Sequence, residues 1–202
     1  MVKDQHEALR AIDSAWPQIC SECLAVLGSE LHYQAMIYHA LRSSGGVPIG
    51  QIGMNVKQWI PDVQSALFRR LDLRKNEAYR GGFEPIPDVV IFSDAVGGDW
   101  RRRRREQTIA CMLAVIEVKA SERAGKRLSR AEVGGDIRKL AAHREEVRHI
   151  GSDFYPIMMV VDTAREESER MSAADLSAAR SLARELNIQW RYVSPGDCHL
   201  DF

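Results

Sequence analysis

The chain has 202 residues, is 45% hydrophobic and 28% charged, and sets 28 Lys+Arg against 28 Asp+Glu for a formal net charge of zero at pH 7. That is the composition of an ordinary globular protein of one domain, able to bury a core without structural metals or disulfides, and it excludes disorder, collagen and a disulfide-stapled miniprotein. No apolar run approaches the roughly 20 residues of a membrane span, and Met1 to His6 is no signal peptide, so the expectation is a cytoplasmic protein without a membrane partner.

Residues from about Asp4 to Leu41 are predicted helical. Leu24, Leu27, Leu31, Tyr38 and Leu41 recur near three-to-four spacing, Trp16-Pro17 suggests a break, and Ser43-Ser44-Gly45-Gly46 ends the run. Val47 to Ile60 is Gly-rich and apolar and reads as a first strand or hairpin; Asp62 to Leu73 reads as a short helix. Ile86 to Phe92 and Ile109 to Val118 are runs too apolar for half-exposed strands and are predicted as buried strands. Between them, Gly97-Gly98-Asp99-Trp100 and the five arginines 101 to 105 predict a solvated loop. Ser129 to Ile150 is an amphipathic helix with Val133, Ile137, Leu140 and Val147 on one stripe, weakened near Gly134-Gly135. Tyr155 to Val161 is a third buried strand, Ser172 caps a helix with Asp175 completing the cap, and Ile188 to Val193 is a last strand. The pattern is α/β: a mixed sheet flanked by helices on both faces. One domain is expected, with a helical segment over about 1–42, a core over 43–162 and a helix–strand extension over 163–202.

Cys20, Cys23, Cys111 and Cys198 are too few and too scattered for a disulfide framework and are expected to be reduced thiols. Cys20 and Cys23 have metal-ligand spacing, but no second pair supplies the remaining ligands. The neutral charge is unevenly spread: Asp99 to Arg148 holds 14 Lys+Arg and 8 Asp+Glu, leaving the rest of the chain acidic. Such a basic stretch on a neutral chain suits a phosphate-binding face.

Two neighbouring apolar strands bring acids to their ends. Asp88 follows Pro87, and Glu117-Val118-Lys119 closes the next strand, where alternation sends Glu117 and Lys119 to one face. Converging carboxylates can share a hard divalent cation. Asp88, Glu117 and the Val118 carbonyl would hold magnesium, and Lys119 would orient a water and offset phosphate charge in phosphodiester hydrolysis.

Pro87-Asp88, followed after 29 positions by Glu117-Val118-Lys119, resembles the PD-(D/E)xK nuclease superfamily. The resemblance implies a restriction-endonuclease-like core of order α-β-β-β-α-β, here with an extra α-β. It also implies a magnesium-dependent nuclease, manganese able to substitute, acting on DNA rather than RNA and often as a homodimer. A further acid from the preceding helix is expected in this family. Glu30 fits as catalytic residue and metal ligand, with Glu22 as fallback, and Gln34 lies one turn on from Glu30 as a nucleic-acid contact. Further nucleic-acid contacts are Lys139, Arg123, Lys126, Arg127, Arg101, Arg102 and Arg103, with His143 a weaker candidate. The alternative is an inactive module of this fold that binds nucleic acid or a protein. A solvated loop and a charged outer helix face explain the arginines and lysines equally well without function.

Overall fold

The computed structural model describes residues 1–72 and 82–201. Leu73, the last residue of the predicted third helix, lies outside them. Two helices open the chain, α1 (Gln5–Ala25) and α2 (Glu30–Ser43), followed by β1 (Ile52–Met54), α3 (Ala66–Asp72) and β2 (Val89–Phe92). A short α4 (Arg105–Ala110) leads into β3 (Met112–Ala120), then α5 (Arg130–His149), β4 (Tyr155–Val161), α6 (Ala173–Glu185), β5 (Gln189–Ser194) and β6 (Asp197–Asp201). The six strands form one sheet in chain order. β3, β4 and β5 run parallel, while β1, β2 and β6 are antiparallel to their neighbours.

Strand alternation divides the interior into two cores. Ala114, Ile116 and Val118 of β3 and Ile157, Met159 and Val161 of β4 meet Ile12, Ile19, Tyr33 and Ile37 of α1 and α2. Val115, Met158 and Val160 turn the other way, onto Phe68 of α3, Val133, Ile137 and Leu140 of α5 and Ala179 and Ala183 of α6. Strands covered on both faces must be apolar throughout, which is why β2 and β4 read as uninterrupted runs.

Several boundaries differ from expectation for reasons that lie in packing. The helix does not break at Trp16-Pro17: α1 continues through Pro17 because Ala15, Trp16, Ile19 and Cys20 are buried against the sheet, and the break falls at Val26 to Ser29. Ile109 and Ala110 belong to α4, so β3 starts at Met112. Arg102–Arg104 form a single 3-10 turn rather than an open loop. α5 passes Gly134-Gly135 unbroken; a Cβ on Gly134 would come within 3.3 Å of Leu182 Cδ2, so this glycine lets α5 approach α6. The capping box at Ser129 and Glu132 and the cap at Ser172 form as their spacing predicts.

The expectation of four free thiols is overturned. Cys20 of α1 and Cys198 of β6 form a disulfide, with Cα atoms 6.4 Å apart across 178 residues, because the β5–β6 hairpin returns beside α1. Cys23 and Cys111 are free and buried. None of the helices among the described residues is long and apolar enough to cross a membrane.

Candidate active site

The register of β2 with β3 pairs Val89 with Ile116 and Val90 with Val115. Asp88 immediately precedes this paired stretch, so it comes beside Glu117 at the end of the β2–β3 pair, with its carboxylate turned to the β3 edge and to α2. Asp88 is 8% exposed. Its Oδ2 accepts from the Val118 backbone N–H at 2.7 Å, and its Oδ1 accepts from Gln34 Nε2 at 2.7 Å. Its backbone carbonyl accepts from the Asn55 N–H at 3.0 Å.

Lys119, two residues after Glu117, reaches the same end of the sheet. Its Nζ lies 3.0 Å from Glu30 Oε2 and 3.0 Å from Asp136 Oδ2, so one ammonium ties α2, on one face, to α5, on the other. Asp136 Oδ1 in turn accepts from Lys139 at 2.9 Å. The N-terminus of α2 is fixed to the same place, since the Glu30 N–H donates to Glu122 Oε2 at 2.7 Å, just beyond β3.

The charges are unbalanced in a telling direction. Burial pushes the Asp88 carboxyl up to about 6; the Val118 N–H works against that, Glu30 adds to it, Lys119 opposes it and Asp136 adds to it. Burial likewise raises Glu117 well above the usual carboxylate range, reinforced by Asp88 and Asp136 and opposed by Lys139 and Lys119. Burial lowers the proton affinity of Lys119, but Asp136 and Glu30 outweigh it and hold the ammonium above the usual lysine range. Carboxylates kept together against their own repulsion are what a divalent cation would relieve.

The donor set fits such an ion. Asp88, Glu117 and Val118 offer only oxygen, which magnesium prefers. The Val118 N–H donates to Asp88, and the N–H and C=O of one strand residue share an edge, so the Val118 carbonyl lies on the same β2-side edge of β3. Among the described residues no three His, Cys, Asp or Glu side chains form a group able to hold a metal on their own. Coordination here would be open, completed by the backbone carbonyl and water.

The structure gathers Asp88, Glu117, Lys119 and Glu30, as the spacing leads one to expect, and relocates several others. Gln34 is not a nucleic-acid contact: it is 5% exposed and spent on holding Asp88. Arg101, Arg102 and Arg103 do not approach the acids, because they precede β3 whereas Glu117 and Lys119 end it. Arg101 pairs with Asp99 at 2.7 Å, and Arg102 pairs with Glu84 at 2.8 Å and lies over the Trp59 ring. His143 is buried, bonded to Gln58 Oε1 at 2.7 Å and packed on Phe154, so it touches no phosphate. Glu22 accepts from Gln18 at 2.6 Å within α1.

Arg123, Lys126 and Arg127 do lie just past β3 at the acidic end and are exposed. Arg123 and Lys126 are paired to Glu132, while Arg127 donates to the Ser168 carbonyl. Lys139 is exposed beside Asp136. Residue patterns missed three members of the cluster: Asn55, Glu122 and the role of Asp136. Only Asp136 left a signal, three residues before Lys139 on one helical face. No protein-family model, curated protein or solved structure matches the chain.

Proposed function

We propose that this chain is a magnesium-dependent nuclease with a restriction-endonuclease-like core of the PD-(D/E)xK kind, hydrolysing phosphodiester bonds in DNA as an endonuclease. The observation that carries the reading is the meeting of Asp88, Glu117 and Lys119 at one end of the β2–β3 pair, with Glu30 delivered to Lys119 from α2. Asp88, Glu117 and the Val118 carbonyl would hold magnesium or manganese, which when bound polarises a phosphate oxygen and acidifies water. Lys119 donates to the attacking water and offsets charge on the phosphate, and Glu30 fixes the position of that ammonium. Arg123, Lys126, Arg127 and Lys139 track the backbone without reading bases. A homodimer would let two such sites cut both strands. Cytoplasmic action also belongs to this reading; the Cys20–Cys198 bridge argues against it, since disulfides are rare in reducing compartments.

One observation favours the second reading, a nuclease-like module that binds nucleic acid or a partner without cutting. The Lys119 ammonium is already held between two carboxylates. Cleavage of plasmid, linear and single-stranded DNA and of RNA, with magnesium, manganese or EDTA, decides between them. Metal-dependent cutting that disappears in Asp88→Ala supports the nuclease. Salt-dependent binding with no cutting in either metal supports the module.

A further inference from the structure

Asp88 needs more than burial to serve as a ligand: its carboxylate must be held in one orientation. Two bonds do this directly, from Val118 N–H and from Gln34 Nε2. The second depends on which way the Gln34 amide is turned, because its nitrogen and oxygen ends have nearly the same shape. Turned over, Gln34 would present its oxygen to a carboxylate oxygen.

We infer that Asn55 is the positioning residue that sets this orientation, completing a relay Asn55–Gln34–Asp88; the inference rests on the nuclease reading and assigns a role within that same site. Asn55 Nδ2 donates to Gln34 Oε1 at 3.3 Å, which commits the other end of the amide to donate to Asp88. The same residue grips Asp88 a second time, its backbone N–H donating to the Asp88 carbonyl at 3.0 Å. Asn55 follows the last residue of β1 with φ +50°, a left-handed conformation that asparagine and aspartate tolerate better than other side-chain-bearing residues. That conformation turns the chain so that one residue serves both bonds. Asn55 is also exposed, unlike Gln34 and Asp88, so altering it leaves the two cores untouched.

Two substitutions separate the relay from simpler effects. Asn55→Gly keeps the left-handed backbone and the N–H but deletes the side chain. Asn55→Asp keeps backbone tolerance and size but cannot donate, so the Gln34 amide is no longer committed and its nitrogen is shared between two carboxylates, part of the time leaving its oxygen toward Asp88. As a plain surface charge, an added carboxylate beside a cation site would tighten cation binding; the relay requires the reverse.

The test is calorimetric titration of the full chain with Mn2+, alongside exchange of the Gln34 side-chain amide protons. The expected result is Mn2+ binding weakened roughly tenfold in Asn55→Asp and by a smaller factor in Asn55→Gly, with amide exchange faster in both than in wild type. Equal or tighter Mn2+ binding by Asn55→Asp overturns the relay and leaves the nuclease reading standing. A wild-type chain that binds no Mn2+ overturns the nuclease reading instead. The relay is then decided by exchange alone: equal Gln34 exchange in all three chains overturns it.

Discussion

Strand β3 has a basic segment at each end, and the two differ in what surrounds them. Before it, Arg101 to Arg105 sit on a 3-10 turn and the start of α4, where Asp99, Glu84 and the Trp59 ring answer much of their charge. After it, Arg123, Lys126 and Arg127 follow Lys119 at the end where Asp88 and Glu117 meet. Nine residues of strand separate the two by roughly 30 Å, so a single small site cannot use both. Count and spacing of arginines do not distinguish these segments; the direction of β3 does.

The strongest way to break this comparison is a matched pair of substitutions. Lys119→Met is expected to reduce metal-dependent cleavage by about 10²–10³-fold, the usual cost of losing a group aimed at developing charge, whereas Arg103→Met should leave it unchanged. Comparable losses in single-turnover rate would mean that both ends take part.

Next in size is the Cys20–Cys198 bridge, which lies in neither basic segment. Cys20→Ser should lower unfolding free energy by about 2–4 kcal/mol in non-reducing urea titrations, since the closed loop is long. Dithiothreitol should lower wild type equally and leave the variant unaffected. A bridge that can be reduced without loss of stability would show that α1 and the β5–β6 hairpin are held by packing alone.

Binding sharpens the contrast further. Replacing Arg123, Lys126 and Arg127 together by Gln should weaken DNA binding and reduce the slope of log affinity against log salt by about 2–3, as expected for up to three phosphate contacts. The same replacement at Arg101, Arg102 and Arg103 should leave the slope where it was. An equal fall in both triple variants would assign DNA to both ends of β3.

The smallest effect expected is on the pH dependence of stability without metal. Asp88 titrates at about 6 in the folded chain and at an ordinary value of 3.8 in the unfolded one. Between those values only the folded chain holds the proton, so this group adds stability as pH falls from about 6 toward 4, with Glu117 acting in the same direction. Glu30, Asp136 and Lys119 surround it and set the size of the shift. Buried His143 behaves oppositely: burial lowers it from 6.5 to about 3, so the unfolded chain gains a proton first and stability falls as pH drops below 6.5. Each contributes on the order of 1 kcal/mol per pH unit within its window. Asp88→Asn should therefore lose more stability between pH 7 and pH 5 in EDTA than wild type does. Parallel urea midpoints for the two chains would remove the burial argument for Asp88.

Where a feature depends on neighbours in sequence, it was legible. The apolar run Tyr155–Val161 is a strand buried on both faces, and the caps at Ser129 and Ser172 begin α5 and α6. Alternation along β3 put Glu117 and Lys119 on one side, and their meeting with Asp88 followed once β2 lay beside β3. Gln34 leaves α2 one turn on from Glu30, as the spacing requires, yet it meets Asp88 rather than solvent, because one turn of helix says which way a side chain leaves the axis and not what covers it. His143 meets Gln58 in the interior for the same reason.

Local pattern, then, determined the kinds of element, most of their order and the acidic pair with its lysine, because periodicity and capping act over a few residues. Tertiary structure alone decided which end of β3 each basic segment occupies, that α1 runs through Pro17, that Cys20 meets Cys198, and that Asn55, Gln34, Asp136 and Glu122 gather around Asp88 and Lys119. These are contacts between groups far apart in the chain, and they form when burial of the two cores brings separate elements together, which no spacing along the sequence encodes.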